Sequence, residues 1–303
     1  MQVVNNWVYV ADYNAGLQIF DVGTKLLLTG TANINGTGNN GNNGLTGNSG
    51  NNILSGGNGN DIYFFNASSS LGSDTIIETT TGGIDTLDFT GTTGNVNINL
   101  GISSTQTVVS SAELVPHPNQ LQLTLSAGNV LENLLGGSSE DCLIGNSLNN
   151  TITGGAGNDT LLGGGGNDSL IEGAGNDILT GGTGNDKFIY QTRRAFETGD
   201  VGIDVVSDFT SGSDKIVLSK ATFTALSSIV GNNISASDFA VVVDDANAAS
   251  SNALIVYCSS TGSLYYNQNG SASGLGTGAE FIDLPSLAAD GKNLTVADFA
   301  IIA

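Results

Sequence analysis

Nine-residue units recur without a gap from Gly136 to Ile189, and that period limits the fold more than any other property of the chain. Written in nines, the stretch reads GGSSEDCLI, GNSLNNTIT, GGAGNDTLL, GGGGNDSLI, EGAGNDILT and GGTGNDKFI. The sixth place is Asp141, Asn150, Asp159, Asp168, Asp177 and Asp186; the eighth is Leu143, Ile152, Leu161, Leu170, Leu179 and Phe188. A weaker array begins at Gly38 as GNNGNNGLT, GNSGNNILS and GGNGNDIYF, with sixth places Asn43, Asn52 and Asp61. Its eighth places are Leu45, Leu54 and Tyr63. A unit this short cannot bury an apolar face alone; stacked units share a core and form a solenoid. Without the period, 44 Gly in 303 residues would read as low-complexity disorder.

One large apolar side chain per nine residues returns little against the entropy of ordering a glycine-rich backbone. Stacking also brings the sixth-place carboxylates into a file of like charge. A hard cation answers both difficulties, because calcium takes six to eight oxygens and mixes carboxylates with backbone carbonyls. Glycines at places one, two and four allow a backbone tight enough to turn carbonyls onto an ion. The candidates at places two and four are Gly155, Gly157, Gly164, Gly166, Gly173, Gly175, Gly182 and Gly184. Binding free energy then becomes folding free energy, so the arrays are expected to fold only with metal.

The units resemble the RTX (repeats-in-toxin) nonapeptide GGxGxDxUx of haemolysin-type calcium-binding proteins. That resemblance implies an all-β fold, a parallel β-roll in two segments with β-rich capping regions. It further implies two nonapeptides per turn and several Ca2+ ions held between units two apart. The implied metal pairs are Asp141 with Asp159, Asp159 with Asp177, and Asp168 with Asp186. Asn150 with Asp168 departs from the motif and is expected to be weaker, and Asn43 with Asp61 weaker again. Asp85, Asp88, Asp204, Asp208 and Asp214 are left open between ligating metal and capping turns.

Acidic turns follow both arrays, Gly83-Ile-Asp85-Thr-Leu-Asp88-Phe89 and Gly202-Ile-Asp204-Val-Val-Ser-Asp208-Phe209, each leading into strand-like runs at Val96–Leu100 and Lys215–Leu218. Further on, Ala253–Tyr257 reads as a strand with a hairpin partner around Leu264–Tyr266. Near the start, Val8–Val10 and Leu17–Phe20 flank turn residues Asp12–Gly16. The segment is expected to form a β-hairpin, and it resembles one repeat of an LVIVD-type β-propeller. Four segments are therefore expected: a hairpin at 1–25, left from a larger upstream domain; a degenerate roll with a strand insert at 26–126; the main roll and cap at 127–220; and a β-rich region at 221–303.

The net charge of −21, with no Lys or Arg between Lys25 and Lys187, opposes binding to nucleic acid or an anionic membrane. No apolar run reaches the roughly 18 residues of a membrane span, and the N-terminus lacks the basic and apolar regions of a Sec signal. Cys142 and Cys258 fit neither a disulfide framework nor a zinc spacing and are expected to be free thiols. Gly36–Gly41 spells GxGxxG without a following helical pattern, so it is a chance match to the dinucleotide fingerprint. His117 is the only histidine, which excludes HExxH, and GxSxG is absent; no enzyme activity is expected. Arg193 and Arg194 read as local charge partners of the acidic roll.

The resemblance implies a secreted, extracellular protein whose partner is a type I secretion exporter, reached through the C-terminus. Leu294–Ala303, poor in charge and ending in small and apolar residues, looks like that family's uncleaved export signal. No nonapeptide follows Ala289, so removing the tail from Asp298 is expected to stop export while sparing the roll. The alternative expectations are an adhesin module with a cell-surface or matrix partner, or the non-catalytic targeting tail of a secreted hydrolase.

Overall fold

Residues 2–4, 7–9, 17–18, 25–66, 71–110, 121–192, 194–270, 272 and 274–303 are described in the computed structural model. The chain divides into two units, Met1–Asn150 and Thr151–Ala303, and the division falls inside the second nonapeptide array.

In the first unit, Lys25–Leu27, Gly44–Thr46, Ile62–Phe64, Thr86–Asp88 and Asn133–Leu135 pair in parallel, each with the next. On a second sheet, Leu17–Gln18, Gly36–Thr37, Ile53–Ser55, Ser73–Ile77 and Gln122–Leu125 do the same. The chain alternates between the two sheets. Within the array, partners stand 18 residues apart, as in the Asn43 to Asp61 bond, so two nonapeptides make one turn of a parallel β-roll. Each eighth-place side chain (Leu45, Leu54, Tyr63, Leu143) is completely buried between the sheets. Three-residue strands with one inward apolar residue are what a nine-residue unit can supply. Asn95–Asn99 pairs in parallel with Cys142–Ile144 and antiparallel with Val109–Ser110.

The second unit repeats this plan. Thr151–Ala156, Ser169–Ala174, Lys187–Tyr190, Lys215–Ser219 and Phe299–Ile302 form one parallel series. Thr160–Gly165, Ile178–Thr183, Asp204–Val206 and Glu280–Asp283 form the other. Ile152, Leu161, Leu170, Leu179 and Phe188 are all buried without exposure. The predicted hairpin is present, with Ile255–Cys258 antiparallel to Ser263–Tyr266. Beyond the roll the core becomes conventional: Phe196, Phe223, Tyr266 and Phe281 pack edge-on or tilted, with Phe223 and Tyr266 centroids 5.1 Å apart. Both cysteines are free.

Two expectations change. Trp7–Tyr9 pairs antiparallel with Gln2–Val4, whereas Leu17–Gln18 joins the roll beside Gly36–Thr37. The pairing expected between 8–10 and 17–20 is therefore not the one found among the described residues, and the turn at 12–16 lies outside them. An exposed roll edge offers 17–18 a parallel partner that local hairpin signals do not reveal. The C-terminal tail is also not a free appendage. Phe299 and Ile301 are buried, and Phe299–Ile302 extends the sheet at Lys215–Ser219.

Candidate metal centre

The sixth place lies at the end of each turn, just before the short strand, and its side chain enters the roll. All nine sixth-place residues are buried: Asn43, Asn52, Asp61, Asp141, Asn150, Asp159, Asp168, Asp177 and Asp186. Within a unit they form files in which one carboxylate oxygen accepts the amide of the previous turn. In the second unit, Asp159 N–H donates to Asp177 Oδ1 at 2.7 Å, and Asp177 N–H to Asp204 Oδ1 at 2.8 Å. On the opposite side, Asp168 N–H reaches Asp186 at 2.8 Å and Asp186 N–H reaches Asp214 at 3.0 Å. The first unit holds Asn43 to Asp61 at 2.7 Å, Asp61 to Asp85 at 2.8 Å, and Asp85 to Glu132 at 2.8 Å. Its second side carries Asn52 to Asp74 at 2.8 Å.

These bonds occupy one oxygen per carboxylate. The other, Oδ2 of Asp61, Asp74, Asp85, Asp177 and Asp204, is buried without a hydrogen-bond partner. A buried anionic oxygen with no protein partner is costly unless a cation takes it up. Among the described residues the donors in the files are carboxylate and amide oxygens, with no histidine or thiol in the one metal-capable cluster, the set that suits a hard cation such as calcium. Glycines 155, 157, 164, 166, 173, 175, 182 and 184 all have positive φ, which frees the turn backbone to aim its carbonyls. The residues present fit calcium.

The turns left open by the sequence resolve individually. Asp85, Asp204 and Asp214 belong to the files, whereas Asp88 caps its own turn through Thr90 N–H at 2.9 Å. Asp208 holds the amides of Gly181 and Gly182 at 3.0 and 2.7 Å. Asp61, expected to pair more weakly with Asn43, also belongs to an acidic cluster. Ligand-capable oxygens of Asp61, Glu78 and Asp85 lie within 4.8 Å of one another. Its added partners come from outside the nonapeptide motif. Arg194 pairs with Asp200, a local ion pair, while Arg193 and His117 lie outside the described residues.

Sequence reasoning also missed Asp74 and an outer ladder at place five. Asn158 Oδ1 accepts from Asn176 N–H at 2.9 Å, and Asn176 Oδ1 from Ile203 N–H at 2.8 Å. Asn167 takes Asn185 in the same way, and Asn42 takes Asn60. The signal was available, since asparagine fills place five in most units. Its amide satisfies the next turn's backbone where no strand does.

Burial, partly offset by the accepted amide bonds, pushes Asp61 and Asp177 up to about 6, Asp74 and Asp85 to about 7, and Asp204 to about 8. The ordinary value is 3.8, so the metal-free folded form holds protons that the unfolded chain has released. The contribution of these carboxylates to the stability of the metal-free form is therefore fully present below about pH 4 and is lost as pH rises through about 6 to 8. Calcium needs the ionised carboxylates and runs the opposite way. In EDTA the β signal in circular dichroism should be larger near pH 4 than near pH 8, while the half-saturating calcium concentration rises as pH falls. A metal-free β signal that grows with pH would contradict this.

Two family models agree with the geometry. The family described as Peptidase M10 serralysin C terminal matches residues 74–230, and the RTX calcium-binding nonapeptide repeat (4 copies) matches residues 37–76. No match was found among curated proteins. A solved structure, the AlgE6R3 subunit of the Azotobacter vinelandii mannuronan C5-epimerase, is 28% identical, covers 54% of this chain and 78% of its own, and has a TM-score of 0.36. Matched over half its length, the chain belongs to the peptidase M10 serralysin C-terminal family and carries RTX calcium-binding repeats.

Proposed function

We propose that the chain is a non-catalytic module of a larger secreted protein, and that calcium entering its carboxylate files drives it to fold after export by a type I exporter. The observation that carries this reading is the set of buried file carboxylates whose second oxygens meet no protein donor. At micromolar calcium inside a cell such files repel themselves and the arrays stay unfolded, a form that threads a narrow channel. At millimolar calcium outside, each ion joins two turns and folding proceeds. The extracellular medium is thus both destination and trigger.

Type I export brings the prediction that full-length chain made alongside such an exporter accumulates in the medium. There it should resist protease at millimolar calcium and be digested in EDTA. Retention inside the cell would defeat the export reading, and protease resistance in EDTA would defeat the calcium-folding reading.

A further inference from the structure

Two glutamates occupy positions along the roll where the motif asks for glycine. Glu172 opens the unit EGAGNDILT, and the register Gly155 to Gly173 sets it beside Gly154, the place-one glycine of the previous turn. Glu78 follows the strand Ser73–Ile77, whose pairing of Ser55 with Ile77 sets it beside Gly56, again a place-one glycine. Gly56 N–H confirms the position by donating to Glu78 Oε1 at 3.1 Å. A glycine exchanged for a glutamate at this place sends a carboxylate into the roll's interior.

Both glutamates are buried, and Glu78 lies in a cluster of three carboxylates. In the first unit Glu78 lies with Asp61 and Asp85, their oxygens within 4.8 Å of one another, and Tyr63 Oη donates to Glu78 Oε1. Calcium–oxygen bonds of about 2.3–2.6 Å place ligands on opposite sides of an ion roughly 5 Å apart, so this spacing can be bridged by one ion. In the second unit Glu172 is completely buried, but among the described residues it joins no group of three carboxylates whose oxygens lie within 4.8 Å of one another. The first unit thus holds one glutamate, one tyrosine and two file aspartates linked by an amide-to-carboxylate bond, Asp61 to Asp85, and the Oδ2 atoms of both aspartates are buried without a hydrogen-bond partner.

We propose that Glu78 is a cation ligand supplied from inside the roll, making Asp61–Glu78–Asp85 a three-carboxylate site that fills before the two-carboxylate sites. The proposal rests on the calcium reading above and adds an order of filling to it. Ligand charge sets calcium affinity, so this site would load first and act as the folding nucleus of its unit. The adjacent Tyr63 gives the site a spectroscopic label.

Terbium, a trivalent stand-in for calcium, emits when a nearby tyrosine is excited. Added to the full chain, the first equivalents of terbium should give tyrosine-sensitised emission that calcium displaces. Tyr63→Phe should remove much of that emission. In calcium titrations by calorimetry, Glu78→Gln should weaken the tightest site about tenfold or more. Asp186→Asn should lower the number of ions bound in the weaker class. First-equivalent terbium without tyrosine sensitisation in the wild-type chain would overturn the proposal regardless of how the variants fold. A Glu78→Gln variant with an unchanged tight site, while Asp186→Asn still loses ions, would overturn it and leave the file reading intact. Absence of calcium binding by the wild type would overturn both.

Discussion

Gly184→Ala is expected to disable the last nonapeptide turn of the second unit. Gly184 has φ of 143°, and a Cβ built there would lie 1.7 Å from the carbonyl oxygen of Gly166, one turn away. The conformation alone costs an L-residue about 1–2 kcal/mol. The overlap is with backbone, so no side chain can swing aside to relieve it. The displaced carbonyl is also one that the turn would offer to a cation. Half-saturating calcium for this unit should rise about tenfold or more from the strain alone, and calorimetry should count fewer ions. Thr183→Ala, at an exposed neighbour, is the control and should behave as wild type. Equal titrations for the two variants would show that the turn does not need glycine.

Removing residues 298–303 should damage folding as well as any export function of the tail. Asp298 is completely buried and accepts from Ser211 Oγ at 3.0 Å and Gly212 N–H at 2.8 Å, and it caps Thr295 at 2.7 Å. Phe299 and Ile301 each contribute about 2–3 kcal/mol at most through burial. Their loss also exposes the strand edge at Lys215–Ser219, next to the turn that holds Asp214. The sequence-based expectation of a separable tail therefore reverses. The truncated chain should unfold at a lower temperature than the full chain in the same calcium concentration, with a shift of several degrees or more. An unchanged melting temperature would restore the picture of an independent signal.

Periodicity made the roll legible because nine residues carry one complete instruction: three glycines for the turn, one acid for the file and one apolar residue for the core. Leu161, Asp159 and Gly157 sit where their places predict. What the period could not show is what interrupts it. Asp85 and Glu132 join the first file, and Glu78 the cluster beside it, across insertions of irregular length, so no fixed spacing marks them. Glu172 was visible as a break in the motif, but whether a glutamate there points inward or outward is decided by the strand register. Asp298 stands more than eighty residues from the loop it anchors, and only the parallel pairing of Phe299–Ile302 with Lys215–Ser219 brings them together. The hairpin near the start failed for a related reason: a local turn signal competes with a roll edge that lies outside its sequence window.

Calcium is the proposed counter-charge for the buried Oδ2 atoms of Asp61, Asp74, Asp85, Asp177 and Asp204, which have no hydrogen-bond partner among the described residues. Far-ultraviolet circular dichroism of the full chain near pH 8 tests this directly, with EDTA, magnesium and calcium as the three conditions. Calcium at millimolar concentration should produce the β spectrum, and EDTA should not. Magnesium should fail as well, because it demands a smaller octahedral shell and keeps its waters. A β spectrum in EDTA equal to that in calcium, or an equal response to magnesium, would contradict the account.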